Sequence, residues 1–248
     1  NLLINPDILK KADIQVGTNS VVNGSLGGSV AFETKDGKDM LDAGKDFGAR
    51  ISSTYNSNDS IGGSITGYGK VSQNTDFLVY HNYLNKNDWK DGAGSETFGS
   101  DGEVQNTLVK LGHNLSDTQR VSISYDTLTD EGDYSPRPDF GRAYNEARTG
   151  LYTYPTEYNR ETITLKHELN LGDKLVLNST VYTNENELER YEKLNGTTPV
   201  RPGATQGLLN GKVSTEGLTT KAQSSLKTGD ILNTFTYGGT VQKSVSNW

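Results

Sequence analysis

Apolar and polar side chains alternate residue by residue along most of this chain. Val121, Ile123 and Tyr125 fall on one face of an extended segment and Ser122, Ser124 and Asp126 on the other, because successive Cβ atoms of a strand point to opposite faces. The same period sets Ile163, Leu165, His167 and Leu169 against Thr162, Thr164, Lys166 and Glu168. Near the end it sets Phe235, Tyr237, Gly239 and Val241 against Thr234, Thr236, Gly238, Thr240 and Gln242. Each segment predicts a strand with one apolar face and one wet face that mixes small and charged side chains. Residues 77–83 differ: both faces are partly apolar, and the pattern leaves the orientation of His81 open.

Short polar turns separate these segments at residues 72–75, 116–119, 171–174 and 228–231, each reading as a tight hairpin. Between them lie connections of unequal length, at about 57–59, 88–106, 129–159 and 185–212. The two kinds of connection strictly alternate. In an antiparallel meander every second connection emerges on the same side of the sheet, so one side carries the tight turns and the other the loops. That sorting, combined with an apolar face opposite a wet one, is the pattern of a transmembrane barrel. A soluble sandwich has no reason to sort its loops this way. The fold class expected is all-β: a partial transmembrane antiparallel β-barrel of about nine strands.

Composition is compatible with that reading without deciding it. Of 248 residues, 32% are hydrophobic, 28 are glycine and 13 tyrosine, and mean hydropathy is −0.66. No stretch approaches the roughly 20 apolar residues of a transmembrane helix. A barrel strand shows only alternate residues to lipid, so low mean hydropathy is expected of one. The net charge of −7 supplies no basic stripe for nucleic acid. The absence of cysteine removes disulfides and thiolate metal sites. His113 and His167 each stand on the apolar face just before a tight turn; nothing in the sequence supplies them with metal-binding partners, and an amphipathic ring at the membrane–water boundary is the plainer account. Asp88, Asp91, Glu96, Asp101 and Glu103 give one loop the oxygen ligands of a calcium site, or simply a solvated acidic surface. Asp130 and Glu131 are the paired carboxylates that a soluble carbohydrate-active enzyme would need. As neighbours in a strand they point to opposite faces, which argues against that use.

The first forty residues have a different character. Residues 12–16 read as a strand, 17–20 as a turn, and Gly24, Gly27 and Gly28 as a glycine-rich link into a strand over 30–34. Three glycines in five residues allow positive φ and close backbone approach. A phosphate loop is excluded, since no Lys-Ser/Thr follows and no helix is signalled. The run Ile14-Gln15-Val16-Gly17-Thr18-Asn19-Ser20, followed by Gly24-Ser25-Leu26-Gly27-Gly28-Ser29-Val30 and Thr34-Lys35-Asp36, resembles the end of the plug domain in TonB-dependent outer-membrane receptors. In that family a strand and "G-x-x-S" turn precede a "G-A-L-G-G-V-V" run just before the barrel. Ser25 and Ser29 depart from it mildly. Residues 38–49, and then Tyr55-Asn56-Ser57-Asn58, are similar to the linker and "Y-x-S-N" of the haem, haemoglobin and transferrin-type branch. The resemblance covers about residues 12–130, and the hairpin rhythm supports the remainder.

The resemblance implies the C-terminal part of a plug domain over residues 1–40 and the first strands and extracellular loops of a barrel over 41–248. It implies a receptor in the bacterial outer membrane that does no covalent chemistry and holds no resident cofactor or metal. Its transported ligand would be haem or a ferric complex. Its partners would be the TonB energy-transducing complex, an extracellular haem or iron source such as a host iron protein, and the lipid bilayer. A ferric-siderophore receptor and a passive porin or adhesin barrel are the alternatives, and the plug-like start argues against an open pore. No leader is seen at the start, so Asn1 is not expected to be the native N-terminus. Nine strands would leave two edges unpaired in lipid, at several kcal/mol per unsatisfied backbone group. A plugged barrel of about 22 strands is therefore expected to continue beyond Trp248. Contacts to the ligand are expected from the third loop, where Tyr134, Arg137, Phe140, Arg142, Tyr144, Arg148, Tyr152, Tyr154 and Tyr158 combine aromatic and cationic side chains. Packing among the loops or an outer aromatic belt would use the same tyrosines.

Overall fold

The computed structural model describes residues 5–17, 21–22, 27–57, 59–135, 143, 153–192 and 207–247. Two strands near the start, β1 (Leu9–Val16) and β2 (Gly28–Thr34), pair antiparallel as a separate sheet. Gly28 opens β2 at φ +121°, and a Cβ there would run into the Gln15 carbonyl, so this glycine makes the close approach anticipated for the motif. Gly27 lies in the bend before it, and Gly24 lies outside the described residues.

Nine further strands form one antiparallel sheet: β3 (Phe47–Asn56), β4 (Ser60–Ser72), β5 (Thr75–Lys86), β8 (Gly102–Ser116), β9 (Gln119–Tyr134), β10 (Tyr154–Asn170), β11 (Val176–Glu192), β12 (Gly207–Thr228) and β13 (Ile231–Asn247). Each pairs with its neighbour in sequence, apart from the small hairpin of β6 (Trp89–Lys90) and β7 (Glu96–Thr97) inserted between β5 and β8. The tight turns fall at residues 73–74, 117–118, 171–175 and 229–230, all on one side of the sheet, as the alternation of connections requires. No helix among the described residues is long and apolar enough to cross a membrane, a statement that does not bear on strands.

Burial in this sheet is inverted relative to a soluble protein. Ser64, Thr66, Asn106, Arg120, Ser122 and Asp130 are buried, while the large apolar side chains opposite them are exposed. Register makes this systematic. Phe47, Gly69, Phe77, Leu111, Ile123, Leu165, Val181, Leu218 and Val241 pair in succession, one residue from every strand, in a single apolar row. Leu111, Ile123, Leu165 and Val181 are each 45–51% exposed, with nothing packed over them. Facing water, that row would forfeit about 25 cal/mol per Å2 of apolar surface; facing hydrocarbon, it is at no disadvantage. The apolar band also drifts across the rows. Phe47 is the first outward residue of β3, with Ala49 and Ile51 beyond it, whereas in β13 Val241 comes after Phe235, Tyr237 and Gly239. Such drift is expected where strands tilt about 35–45° to the membrane normal, since rows of paired residues are then inclined to the bilayer plane.

The strands run further than the apolar rhythm indicated. β9 reaches Tyr134 and β10 begins at Tyr154, so the connection expected over 129–159 is shorter; β11 likewise reaches Glu192 and β12 begins at Gly207. Ladder pairing continues above the apolar band, where both faces are polar and the two-residue signal fades. Tyr134, Tyr154 and Tyr158 are consequently strand residues rather than loop residues.

Candidate functional site

The β1–β2 hairpin lies across the wet face of the large sheet, and its base is fixed there by polar contacts on both sides of a small apolar seat. The sequence Asn5-Pro6-Asp7 begins a 3-10 turn over Pro6–Ile8, with Asn5 accepting from the Asp7 amide and proline at the first position. That turn aims Asp7 at the wall, where Ser64 Oγ donates to its Oδ2 at 3.0 Å and Arg50 Nη2 stands 3.5 Å from its Oδ1. Ile8 enters a cluster with Leu78, Tyr80 and Leu108, against which Met40 packs. This explains the two apolar faces of residues 77–83. Leu78 and Tyr80 turn inward to the seat, while His81 turns outward, its Nδ1 2.9 Å from Thr107 Oγ1.

The second fixed point follows β2. Asp36 is 2.6 Å from Lys110 Nζ and 3.0 Å from Arg120 Nη2, and Arg120 also reaches Asp76 at 2.8 Å. Asp36, Asp76 and Arg120 are all buried. Two glycines make room. A Cβ at Gly37 would strike the Phe77 backbone, and one at Gly112 would strike the Arg120 guanidinium. Burial disfavours the charge of Asp36, but Lys110 and then Arg120 more than offset it and hold its carboxyl below the usual carboxylate range. The 3-10 turn Gly37–Met40 is tied in further by the Lys38 amide, which donates to Asp76 Oδ1. These residues escaped the sequence reading because the pairings join positions 84 and 44 apart in the chain. The available signal was Gly112, a glycine on the wet face beside two cationic positions.

Beyond the base the hairpin stands off from the wall. A cleft of about 680 Å3 with a mixed lining separates β1 and β2 from β8–β12, with Lys11, Asp13, Gln15 and Phe32 on the hairpin side and Ser122, Arg160 and Lys221 among the residues opposite. Near the tip, Thr240 Oγ1 donates to the Val22 carbonyl at 2.7 Å, so the hairpin spans the sheet from β3 to β13.

Of the nine aromatic and cationic candidates for ligand contact, Arg137, Phe140, Arg142, Tyr144, Arg148 and Tyr152 lie outside the described residues. Tyr134 and Tyr154 are register partners where β9 and β10 end. Tyr134 OH donates to Asp130 and accepts from Lys86 Nζ at 2.8 Å, and Lys86 lies 2.9 Å from Asp130. Tyr154 is fully buried beneath the Arg190 guanidinium, which pairs with Glu192. Tyr158 donates to Asn186 Oδ1 at 2.7 Å on the inner face. The structure thus brings these three together as bracing of the wall's upper end.

The remaining candidates are placed plainly. His113 and His167 are outward and bond across the strands to Thr75 and Gln119. Asp88 accepts from the Ser100 amide, and Asp91 from the Ala93 and Ser95 amides, as loop-shaping residues. Among the described residues no three His, Cys, Asp or Glu side chains converge as a metal site. Asp130 is buried within the wall, while Glu131 is exposed on the other face, so the two do not flank one substrate.

A sheet that is apolar outside and wet inside, with a separate segment docked on the wet face, defines the wall of a plugged transmembrane β-barrel. Comparison with known proteins narrows this. No family model matches the chain. It is 28% identical over 199 residues to heme transporter BhuA of Brucella ovis, covering 79% of this chain and 29% of that protein. It is 28% identical over 183 residues to the hemoglobin and hemoglobin-haptoglobin-binding protein of Haemophilus ducreyi, covering 64% and 18%. TonB-dependent heme receptor A of Haemophilus influenzae is 27% identical over 128 residues, covering 50% and 17%. The fold matches the FrpB iron transporter of Neisseria meningitidis, F3-3 variant, at TM-score 0.80 and 21% identity over 99% of this chain and 39% of that one. It also matches a double mutant of the hemophore receptor HasR of Serratia marcescens, in complex with its hemophore HasA and heme, at TM-score 0.77 and 18% identity over 99% and 34%. The chain therefore spans well under half the length of each. It is similar in sequence to haem and haemoglobin receptors and in fold to iron and haemophore receptors, in keeping with the branch that residues 38–49 and Tyr55-Asn56-Ser57-Asn58 resemble.

Proposed function

We propose that the chain forms the plug end and first wall strands of a receptor that imports an iron-bearing ligand, haem or iron from a host protein, across the bacterial outer membrane with energy delivered through TonB. The observation that carries this reading is the docked hairpin on the wet face of a wall whose other face carries an unbroken apolar row drawn from all nine strands of the sheet. A passive pore has no use for a segment clamped inside it by buried charges. The relatives' names add the cargo: heme transport and hemoglobin binding. Residues 1–40 are assigned to the plug and 41–248 to the wall. Cells lacking the full-length protein, grown under iron limitation, should fail on haem or haemoglobin as sole iron source and grow normally on a ferric siderophore. Equal growth on every source would overturn the import reading, and loss on siderophore alone would replace its cargo.

We infer that the ligand is captured through the cationic and aromatic residues of the connection between β9 and β10, Arg137, Phe140, Arg142, Tyr144, Arg148 and Tyr152, together with Tyr134, Tyr154 and Tyr158 on the two strands it joins. Supporting this is the bracing just described, which gives that connection a rigid footing. Alanine at both Arg142 and Tyr144 should weaken binding of haem or haemoglobin to whole cells about tenfold or more, an interface anchor being worth about 1–2 kcal/mol or more each. Unchanged binding at unchanged surface abundance would remove these residues from the contact set.

A further inference from the structure

Two histidines interrupt the apolar face of the wall in the same way. His113 and His167 are both register partners of Val121, one on each side, which sets them roughly 10 Å apart across β8, β9 and β10. Each stands between two leucines at the spacing of one face: Leu111 and Leu115 about His113, Leu165 and Leu169 about His167. The imidazoles therefore lie one step inside the apolar band, on the side of the tight turns. All three strands are paired along both edges, so strands joined at β3 or β13 do not cover this face.

A polar ring against hydrocarbon is costly unless its nitrogens are hydrogen-bonded. The wall satisfies one nitrogen of each ring and thereby fixes where the proton sits. Ser72 Oγ donates to Thr75 Oγ1 at 3.0 Å, which leaves the Thr75 hydroxyl its own proton to donate to His113 Nδ1, 2.8 Å away. An imidazole that accepts at Nδ1 carries its proton on Nε2. That Nε2–H has no partner among the described residues. Gln119 Oε1 can only accept, so its 3.4 Å bond takes the Nε2 proton of His167 and leaves the Gln119 amide nitrogen with its protons to donate. Gln119 shares the outward face with Val121 and lies diagonal to both histidines. Two donors thus stand close together below a lipid-facing row, and the wall supplies them no acceptor.

We propose that His113 and Gln119 seat the phosphodiester of one glycerophospholipid from the leaflet on the tight-turn side, the periplasmic one in barrels of this class. Thr75 and His167 are positioning residues, each fixing one donor. The phosphodiester suits the seat because its two free oxygens accept hydrogen bonds and have no proton to offer. Its glycerol also lays two hydrocarbon chains along Leu111, Ile123 and Leu165, the apolar row immediately above. A lipid without the phosphate would fill the same apolar row and leave both donors unmet. The seat needs only the membrane face of the wall, so it stands apart from the cargo and the import reading.

The test follows carbethoxylation of His113 by diethyl pyrocarbonate, read by peptide mass spectrometry on the full-length receptor in detergent after delipidation. Adding dioleoyl phosphatidylglycerol should slow the reaction at His113 several-fold, whereas dioleoylglycerol, with the same chains and no phosphate, should not. His81, outward on β5 and bonded to Thr107, is the internal control and should react alike in both. Equal rates at His113 with the two lipids would overturn the proposal. Equal protection by inorganic phosphate alone would also overturn it, by making the seat one for a free anion. So would a copurifying polypeptide that shields His113 when no phospholipid is present, since the face would then belong to a protein partner. Gln119→Leu, which removes one donor, should weaken the protecting affinity about fivefold, the worth of one hydrogen bond. Thr75→Val keeps both imidazoles and releases the His113 ring, and should weaken it similarly. Parental protection in both variants would overturn the assigned donors, and the comparison of lipids on the parent decides the seat without either variant.

Discussion

Asp36 is held ionised by two wall cations, and that has a consequence for acid. A carboxyl whose pKa is lowered on folding contributes stability that is complete above its unfolded value and is lost as the pH falls through the folded value. The mooring should therefore be intact at neutral pH and weaken only below about pH 4. Hydrogen exchange of the purified full-length protein should show the Gly37–Met40 amides losing protection in that acid range. Asp36→Asn, which leaves Lys110 and Arg120 without their shared carboxylate, should expose them at neutral pH at a cost of about 3–5 kcal/mol. Parental protection in Asp36→Asn would mean that the charges there are incidental. How much of this was legible in advance differs residue by residue. Lys166 and Asp126 could be placed on the wet face by counting in twos, and so could Lys110 from its spacing to Leu111. That Asp36 would meet Lys110 and Arg120 could not, because local sequence carries no information on which part of the wall a distant loop crosses.

At the scale of the strand, the two-residue period decides what each position tolerates. Leu165 is outward, within the apolar row, and Thr164 is inward, lining the cleft. Leu165→Arg should cost about 2–4 kcal/mol if the residue lies near the bilayer midplane, whereas Thr164→Arg faces water and should assemble nearly as the parent does. The folded fraction of full-length protein in lipid vesicles, scored by heat-modifiable gel mobility, separates the two. Equal loss from both would contradict the assignment of faces. Strand order and faces were readable because a meander of neighbours needs no long-range decision. Strand ends were not: Glu131, Asp133, Glu157 and Glu189 carry no apolar alternation, yet their backbones remain in the ladder. The ladder persists there because pairing is set by backbone hydrogen bonds, while the sequence rhythm reports only contact with hydrocarbon.

For the molecule as a whole, the sheet and the docked hairpin solve opposite problems. The wall satisfies its backbone groups by lateral pairing and turns its apolar side chains outward, so its inner face is left rich in hydroxyls and charges. The hairpin meets that face with polar side chains and one small apolar seat, which fixes its position without gluing its length. The glycine-rich segment marked a link between two strands, but the hairpin's course across the sheet emerged only in three dimensions, since it depends on Asp7, Asp36 and Val22 finding partners on five different strands. The oblique course of the apolar band, from the start of β3 to the far part of β13, carries a consequence for evolution of the chain. One residue inserted into a strand would turn its side chains inside out. Two would restore the faces but displace that strand's greasy stretch by roughly 6.8 Å along its axis, a step in hydrocarbon thickness that the lipids on either side would have to absorb by thinning or crowding. Length changes should therefore collect in the connections above the wall, leaving the girdle's slope as the most conservative dimension of the protein.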